Sequence, residues 1–246
     1  MSPALVGSGW ALAARLLLPA ALPCTGAVAL DAGHSDTSTG ATSARGVAER
    51  TFNVKLALEV EQALAGIGLQ VVRVPPGSLA QRAEAASRAA LFVSLHHDSV
   101  QEKFLEKWTR NGAVGHRTRH AAGYSVFVSA DNGRYEDSKA VALEVGKRLR
   151  ALGRPPALHH AEPIPGENRP LLDAETGVYR FDGLRVLKSK TPSLLVEAAV
   201  ITNDLDEKVA DSDAFRATFA RALAEAVRDT CPAWGTAAPS AAGERP

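Results

Sequence analysis

The sequence predicts a single α/β domain, built on a mostly parallel twisted sheet of about six strands with helices on both faces. Short apolar segments alternate with longer segments in which apolar residues recur every three or four positions. That alternation is typical of parallel strands joined by helical crossovers. A length of 246 residues, with 46% hydrophobic and 22% charged residues, is sufficient for one large soluble core. Two smaller domains are the less favoured alternative.

The first half of the chain supplies three predicted strands and two predicted helices. A short apolar strand at 28–30 precedes a loop rich in Ser, Thr and Gly. Residues 50–67 carry one apolar helical stripe and end at glycines, which stop helices. A strand at 69–74 ends at two prolines, an Ala-rich helix follows at 78–90, and a buried strand occupies 91–95.

The second half is less regular. A polar excursion, 98–122, inserted before the next strand, is expected to hold a short helix at 101–109, and the Pro/Gly-rich segment 153–183 is expected to be irregular. Around these segments the apolar pattern predicts strands at 123–129, 184–188 and 193–201 and helices at 138–152 and 213–230.

The two ends of the chain differ in composition from its middle. Residues 1–23 carry a short apolar run without acidic residues, which is typical of a secretory signal peptide. Residues 232–246 have the composition of a disordered tail, so the domain is expected to span 24–231. Cys24 and Cys231 lie at its two ends and are candidates for one disulfide in an exported protein. Two unrelated thiols are the alternative.

The charge balance excludes two broad classes of partner. With 28 basic and 27 acidic residues, the chain carries no electrostatic footprint for nucleic acid or for an anionic membrane surface. The apolar run near the N-terminus is also too short for a membrane-spanning helix. We therefore expect a monomer whose recognition depends on a local site.

Several histidines and carboxylates lie at the carboxyl ends of the predicted strands. In parallel sheets, ligands bind at those strand ends. Glu197 interrupts the apolar run L-L-V-E-A-A-V, and a lone buried carboxylate is costly unless it serves a metal, a base or a raised pKa. A divalent-metal hydrolase uses such groups, although each one alone can equally form a loop hydrogen bond or complement a helix dipole. The candidates are His34, Glu49, His96, His97, Asp98, His159, His160, Glu162 and Glu197.

Four short sequence motifs follow one another along the chain, each at a predicted strand end or helix start. They are D-A-G-H at 31–34, G-V-A-E at 46–49, F-V-S-L-H at 92–96, and L-V-E at 195–197 followed by Asn203. Together, over about residues 27–230, they resemble the zinc-dependent N-acetylmuramoyl-L-alanine amidases of the type 3 fold. The resemblance implies that His34, Glu49 and His96 bind one Zn²⁺ ion. It also implies that Glu197 is general base to the attacking water and then proton donor to the leaving amine.

The same resemblance implies a reaction and a setting. The reaction is cleavage of the amide between N-acetylmuramic acid and L-alanine in peptidoglycan, for cell-wall turnover or daughter-cell separation. The partners are the stem peptide and muramic acid, with a protein activator as a further possibility, and the location is periplasmic or secreted. His/His/Glu ligation with an open position fits zinc best, and other divalent metals remain open. Asp31 and Ser94 are candidates for orienting the histidines, with ordinary turn hydrogen bonding the alternative.

Several residues depart from the family pattern. His97 and Asp98 stand where small residues or Asn are common, and adjacent strand residues point to opposite faces, so His96 and His97 are not expected to share one ion. His97 and Asp98 are therefore assigned to the substrate side or to support of the loop. His160, Glu162 and Arg169 are further substrate-binding candidates, with a merely structural loop as the alternative.

Other functions stay open at this point. A zinc peptidase of similar fold and a catalytically silent peptidoglycan-binding domain are both compatible with the motifs. A two-carboxylate glycosidase using Asp31 and Glu197 would leave the histidines unexplained. Some relatives carry an inhibitory helix, so the helix expected at 101–109 is either a regulator of access or a surface decoration.

Overall fold

Residues 26–231, which the computed structural model describes, form strands and helices in alternation. The strands are β1 (Ala27–Ala32), β2 (Gln70–Arg73), β3 (Leu91–Asp98), β4 (Glu106–Arg110), β5 (Ala113–Arg117), β6 (Ser125–Val128), β7 (Leu171–Asp173), β8 (Val178–Arg180) and β9 (Ser193–Val200). The helices are α1 (Glu49–Gly66), α2 (Leu79–Ala86), α3 (Tyr135–Ala151), α4 (Asp204–Ala210) and α5 (Asp213–Thr230).

Seven strands form one sheet in the order β2-β1-β3-β9-β6-β8-β7. The four strands from β2 to β9 are mutually parallel, β6 is antiparallel to β9 and parallel to β8, and β7 is antiparallel to β8. The prediction of a mostly parallel sheet in a single α/β domain is confirmed. Because β1, β3 and β9 are parallel neighbours, their carboxyl ends meet at one edge of the sheet.

Side-chain alternation divides the core between the two faces of the sheet. Leu91, Val93 and Leu95 of β3 pack into the large core that holds α1, α3 and α5, whereas Phe92 packs into a smaller core on the α2 face. The same alternation puts Val196 on the first face and Leu195 on the second. His96 and Glu197 therefore point to the α2 face, and His97 points to the α1 face.

The helix expected at 101–109 is wrong. A single 3₁₀ turn at Glu102–Phe104 is followed by the two-stranded antiparallel hairpin β4–β5. The hairpin turns at Asn111 and Gly112, whose φ angles of 51° and 79° are the left-handed values that an Asn-Gly turn adopts. Within the described residues, the excursion 98–122 thus presents a hairpin and no inhibitory helix.

The segment after α3 also differs from its prediction. The strand expected at 184–188 is wrong, since Arg185–Leu187 is a 3₁₀ turn whose apolar side chains Val186 and Leu187 are buried on the α2 face. The segment expected to be irregular supplies the three-residue strands β7 and β8. A buried apolar run has the same composition in either conformation, so periodicity could not separate them.

The predictions for the chain ends lie partly outside the described residues. The signal peptide, residues 1–23, the tail, residues 232–246, and Cys24 all fall there. Cys231 is buried directly after α5, and its pairing with Cys24 stays a prediction. None of the helices between residues 26 and 231 combines the length and the apolar composition that a bilayer span requires.

Candidate active site

His34, Glu49 and His96 meet at the carboxyl edge of the sheet. His34 follows β1, Glu49 is the first residue of α1, and His96 lies near the end of β3. The Nε2 atom of His34 lies 2.9 Å from Glu49 Oε2, and the Nδ1 atom of His96 lies 2.9 Å from Glu49 Oε1. One ligand atom from each residue lies within 4.8 Å of the other two. The structure therefore brings together the three predicted metal ligands.

Glu49 is held as an ionised carboxylate. Burial by itself would raise the pKa of Glu49, but hydrogen bonds with His34 and His96 and their charges hold that pKa well below its ordinary value. The backbone N–H of Ala41 also donates to Oε2 at 3.0 Å. Two imidazoles and one carboxylate are the donor set of a catalytic zinc site. The residues present thus fit a divalent transition-metal ion.

His97 is buried next to Glu49 and also contributes to the lining of the cavity at this site. It is 2% exposed, and its Nδ1 lies 2.7 Å from Asn53 Oδ1, an atom that only accepts hydrogen bonds. Nδ1 must therefore carry the proton, in agreement with burial lowering the pKa of His97 to about 3. Asn53 in turn donates from Nδ2 to Glu49 Oε1 at 3.1 Å. His97 therefore orients Asn53, and Asn53 orients Glu49.

Glu197 faces the same cavity as the three ligands. It is the register partner of His96 in the β3–β9 pairing, so both side chains project from the α2 face. Its Oε2 atom is buried and has no hydrogen-bond partner among the described residues. Burial raises the pKa of Glu197 well above its ordinary value, and the nearby carboxylates of Asp98 and Glu49 raise it further. A carboxyl group with these properties is suited to hold and release a proton.

The cavity has a volume of about 430 Å³ and a second polar wall, which comprises Asp98, His160, Glu167 and Arg169. His160 lies between two carboxylates, with Nε2 2.8 Å from Asp98 Oδ2 and Nδ1 2.9 Å from Glu167 Oε2. Glu162, in contrast, is engaged by His120 Nε2 at 2.8 Å. Among the predicted substrate residues, His97, Asp98, His160 and Arg169 therefore line the cavity, and Glu162 does not.

Asp31 accepts hydrogen bonds from Ser94 and Arg82 and not, among the described residues, from a histidine side chain. Ser94 Oγ donates to Asp31 Oδ2 at 2.7 Å, and Arg82 Nη1 donates to the same oxygen at 3.2 Å. The Arg82 guanidinium also donates to the backbone carbonyl of His34. This buried ion pair holds the turn that presents His34, and the sequence interpretation missed its cation. The sequence did carry a signal for this ion pair, because Arg82 lies in an Ala-rich predicted helix and a cation buried with that helix needs a partner.

A pair of glycines in the loop before α1 gives a test of this geometry. Gly40 and Gly46 have φ angles of 78° and 86°, so an Ala at either position carries similar backbone strain, about 1–2 kcal/mol. A Cβ at Gly40 would lie 2.3 Å from Glu49 Oε2 and 2.6 Å from the His34 ring, whereas at Gly46 it would meet nothing within 4 Å.

We expect Gly40→Ala and Gly46→Ala both to lose free energy of unfolding in urea, and Gly40→Ala to lose more because its methyl group also collides with Glu49 and His34. Only Gly40→Ala is expected to weaken Zn²⁺ binding, by about tenfold or more, because the added methyl displaces two ligands. Competition against a chromophoric chelator measures the affinity. Equal Zn²⁺ affinities in the two variants would show that the loop does not position the ligands.

Comparison with known proteins identifies one enzyme family. The sequence profile of the N-acetylmuramoyl-L-alanine amidase family matches residues 28–229. The chain is 26% identical over 233 residues to the N-acetylmuramoyl-L-alanine amidase AmiC of Neisseria meningitidis serogroup B. That match covers 82% of the chain but 51% of the relative, so the chain spans about half the length of AmiC.

Solved structures share the fold. The N-acetylmuramyl-L-alanine amidase Ami1 of Mycobacterium smegmatis has a TM-score of 0.66 at 20% identity, over 85% of this chain and 98% of that one. The CwlD amidase of Clostridioides difficile, solved in complex with the GerS lipoprotein, has a TM-score of 0.61 at 18% identity, over 85% of this chain and 99% of that one.

Proposed function

The chain belongs to the N-acetylmuramoyl-L-alanine amidase family, and on that premise we propose that it hydrolyses the amide between N-acetylmuramic acid and L-alanine in peptidoglycan. The observation that carries the proposal is the convergence of His34, Glu49 and His96 opposite Glu197 in one cavity. In this proposal the three residues bind one metal ion in the cavity, and the donor set favours zinc.

The protein residues have separate tasks in the reaction. Zn²⁺, when bound there, supplies the Lewis acidity that polarises the scissile carbonyl and acidifies the attacking water. Glu197 Oε2, which has no hydrogen-bond partner among the described residues, accepts the proton of that water. The Glu197 carboxyl group then donates this proton to the nitrogen of the leaving L-alanine. Asn53 and His97 keep Glu49 oriented throughout.

The second wall of the cavity is proposed to bind the stem peptide. The Arg169 guanidinium lies 4.3 Å from the centre of the Phe181 ring, which fixes its plane by a cation–π contact. Glu167 accepts a hydrogen bond from the same guanidinium. An arginine held in this way offers its remaining N–H groups to a carboxylate or carbonyl of the peptide. Arg169 is therefore the proposed substrate contact in this wall, where it lies beside Asp98 and His160.

The site weighs against two of the alternative functions. A glycosidase would need Asp31 as a free carboxylate, but Asp31 is 1% exposed and bound by Ser94 and Arg82. A silent binding domain would have no use for an unpartnered carboxyl group beside three metal ligands. A zinc peptidase of the same fold remains the second candidate, and the products distinguish it.

Digestion of purified peptidoglycan followed by mass spectrometry tests the proposal. We expect stem peptides that begin with free L-alanine, formed by the zinc-loaded protein, absent after chelation and restored by added Zn²⁺. Products cut between two amino acids of the stem would favour the peptidase. Muropeptides whose lactyl–alanine bonds all remain intact would contradict both the amidase and its proposed site.

The proposed substrate also sets where the protein acts. Peptidoglycan is a cell-wall polymer, and the leader composition of residues 1–23 supports export. We therefore propose a periplasmic or secreted location. The CwlD structure contains a lipoprotein bound to the amidase, and that likeness supports a protein partner for this chain as well.

A further inference from the structure

A second cluster of metal-ligating side chains lies in the wall of the cavity opposite the proposed zinc ligands. It comprises Asp98 at the end of β3 and the adjacent histidines His159 and His160 of a 3₁₀ turn. One ligand atom from each lies within 4.8 Å of the other two, and all three residues are buried. The donor set, two imidazoles and one carboxylate, is the same as in the first cluster.

The two imidazoles converge on a single carboxylate oxygen. The Nε2 atom of His160 lies 2.8 Å from Asp98 Oδ2, and the Nε2 atom of His159 lies 3.2 Å from the same oxygen. Three ligand atoms therefore point at one small volume. A divalent ion in that volume would contact all three without any change in the backbone.

The ring of His159 is buried against Asp98, His120 and His160. It is 6% exposed, and neither ring nitrogen forms a hydrogen bond with any described residue. Leaving a buried polar group without a partner costs about 1–3 kcal/mol. Nε2 lies 3.2 Å from Asp98 Oδ2 without forming a hydrogen bond, and a cation ligated by Nε2 would remove that cost.

His160 has the support that metal-binding histidines have. Its Nδ1 lies 2.9 Å from Glu167 Oε2, and Gln101 Nε2 lies 3.2 Å from Oε1 of the same carboxylate. A carboxylate at Nδ1 fixes the tautomer whose Nε2 lone pair faces outward, and it raises the basicity of the ligand. A protonated His160 between two carboxylates would explain His160 alone, whereas it leaves His159 unsatisfied.

From these observations we propose that Asp98, His159 and His160 form a second divalent-cation site, whose donor set suits Zn²⁺. The site shares no residue with His34, Glu49 and His96, so each cluster can bind its metal ion without the other. A cation there joins the end of β3 to the turn at His159–Ala161, which leads into the segment that carries Arg169. The second ion thereby fixes the wall of the cavity that faces the substrate.

Metal stoichiometry tests this proposal without recourse to activity. The purified chain is stripped of metal, dialysed against Zn²⁺ and measured by inductively coupled plasma mass spectrometry. We expect two ions per chain in the wild type, one in His159→Gln, one in Asp98→Asn and one in His96→Ala. His120→Gln is the matched control, because His120 lies beside His159 but pairs with Glu162, and it should keep both ions.

Two results would overturn the proposal. The first is a single ion in the wild type that His96→Ala removes, and the second is two ions retained in His159→Gln. If His159→Gln or Asp98→Asn fails to fold, the number of ions in the wild type and in His96→Ala still tests the proposal. In His96→Ala, added Zn²⁺ should still raise the Tm, and adding His159→Gln to that chain should abolish the rise.

Discussion

Replacing Glu197 by Gln is expected to lower kcat/KM on peptidoglycan by about 10²–10⁴-fold while the protein keeps its metal. Gln has almost the same volume and fills the same part of β9, so the fold should be unchanged. It cannot accept the proton of the attacking water or return it to the leaving amine. The loss therefore falls on kcat, measured by the rate of release of stem peptides.

Metal analysis of the same samples separates this role from ligation. Glu49→Gln is the matched comparison, because it removes the negative charge of a proposed ligand, and it should lose the ion of the first site together with the activity. Glu175→Gln, at an exposed position, should lose neither. If Glu197→Gln keeps wild-type kcat, Glu197 is not the proton carrier. If it loses the metal, Glu197 belongs among the ligands.

The adjacent histidines are expected to give opposite results. His96→Ala removes a ligand and should lose the ion of the first site together with all measurable activity. His97→Ala leaves the three ligands in place and should keep that ion at full stoichiometry. It removes the hydrogen bond that orients Asn53, so the affinity of that ion should fall by about 10–100-fold.

Stability measurements complete the comparison of the two histidines. His97 is buried against the Phe52 ring at a centroid distance of 5.5 Å, and its loss leaves Asn53 Oδ1 without its donor. His97→Ala should therefore lower the free energy of unfolding by about 1–3 kcal/mol, measured in urea on the metal-free protein. His116→Ala, on the exposed face of the hairpin, serves as the control. An empty first site in His97→Ala with a filled one in His96→Ala would reverse the assignment.

Sequence reasoning was most successful where neighbours along the chain decide the structure. The apolar stripe of α5 predicted a helix at 213–230, and the structure has it at Asp213–Thr230. Strand alternation predicted opposite faces for His96 and His97, and they lie on opposite faces. The misplaced carboxylate in L-L-V-E-A-A-V pointed to Glu197 because burial of a charge is costly wherever it occurs.

Short segments were the weak point of the sequence interpretation. The hairpin β4–β5 was predicted as a helix although its Asn-Gly turn was visible at 111–112. The 3₁₀ turn at Arg185–Leu187 was predicted as a strand. In such short runs the local preference is small, and packing against the rest of the molecule selects the conformation.

The sequence alone was enough for the fold class and for the strand ends that carry the chemistry, because these depend on periodicity and on the cost of buried charge. The choice of His96 over His97 as a ligand came from the family resemblance and stays a prediction. The contacts of Asn53 with His97, of Arg82 with Asp31 and of Asp98 with His160 became visible only in the folded chain. These pairs are separated by 44, 51 and 62 positions. Their approach follows from the order of the strands and the packing of helices on the sheet, which are long-range properties that no local pattern encodes.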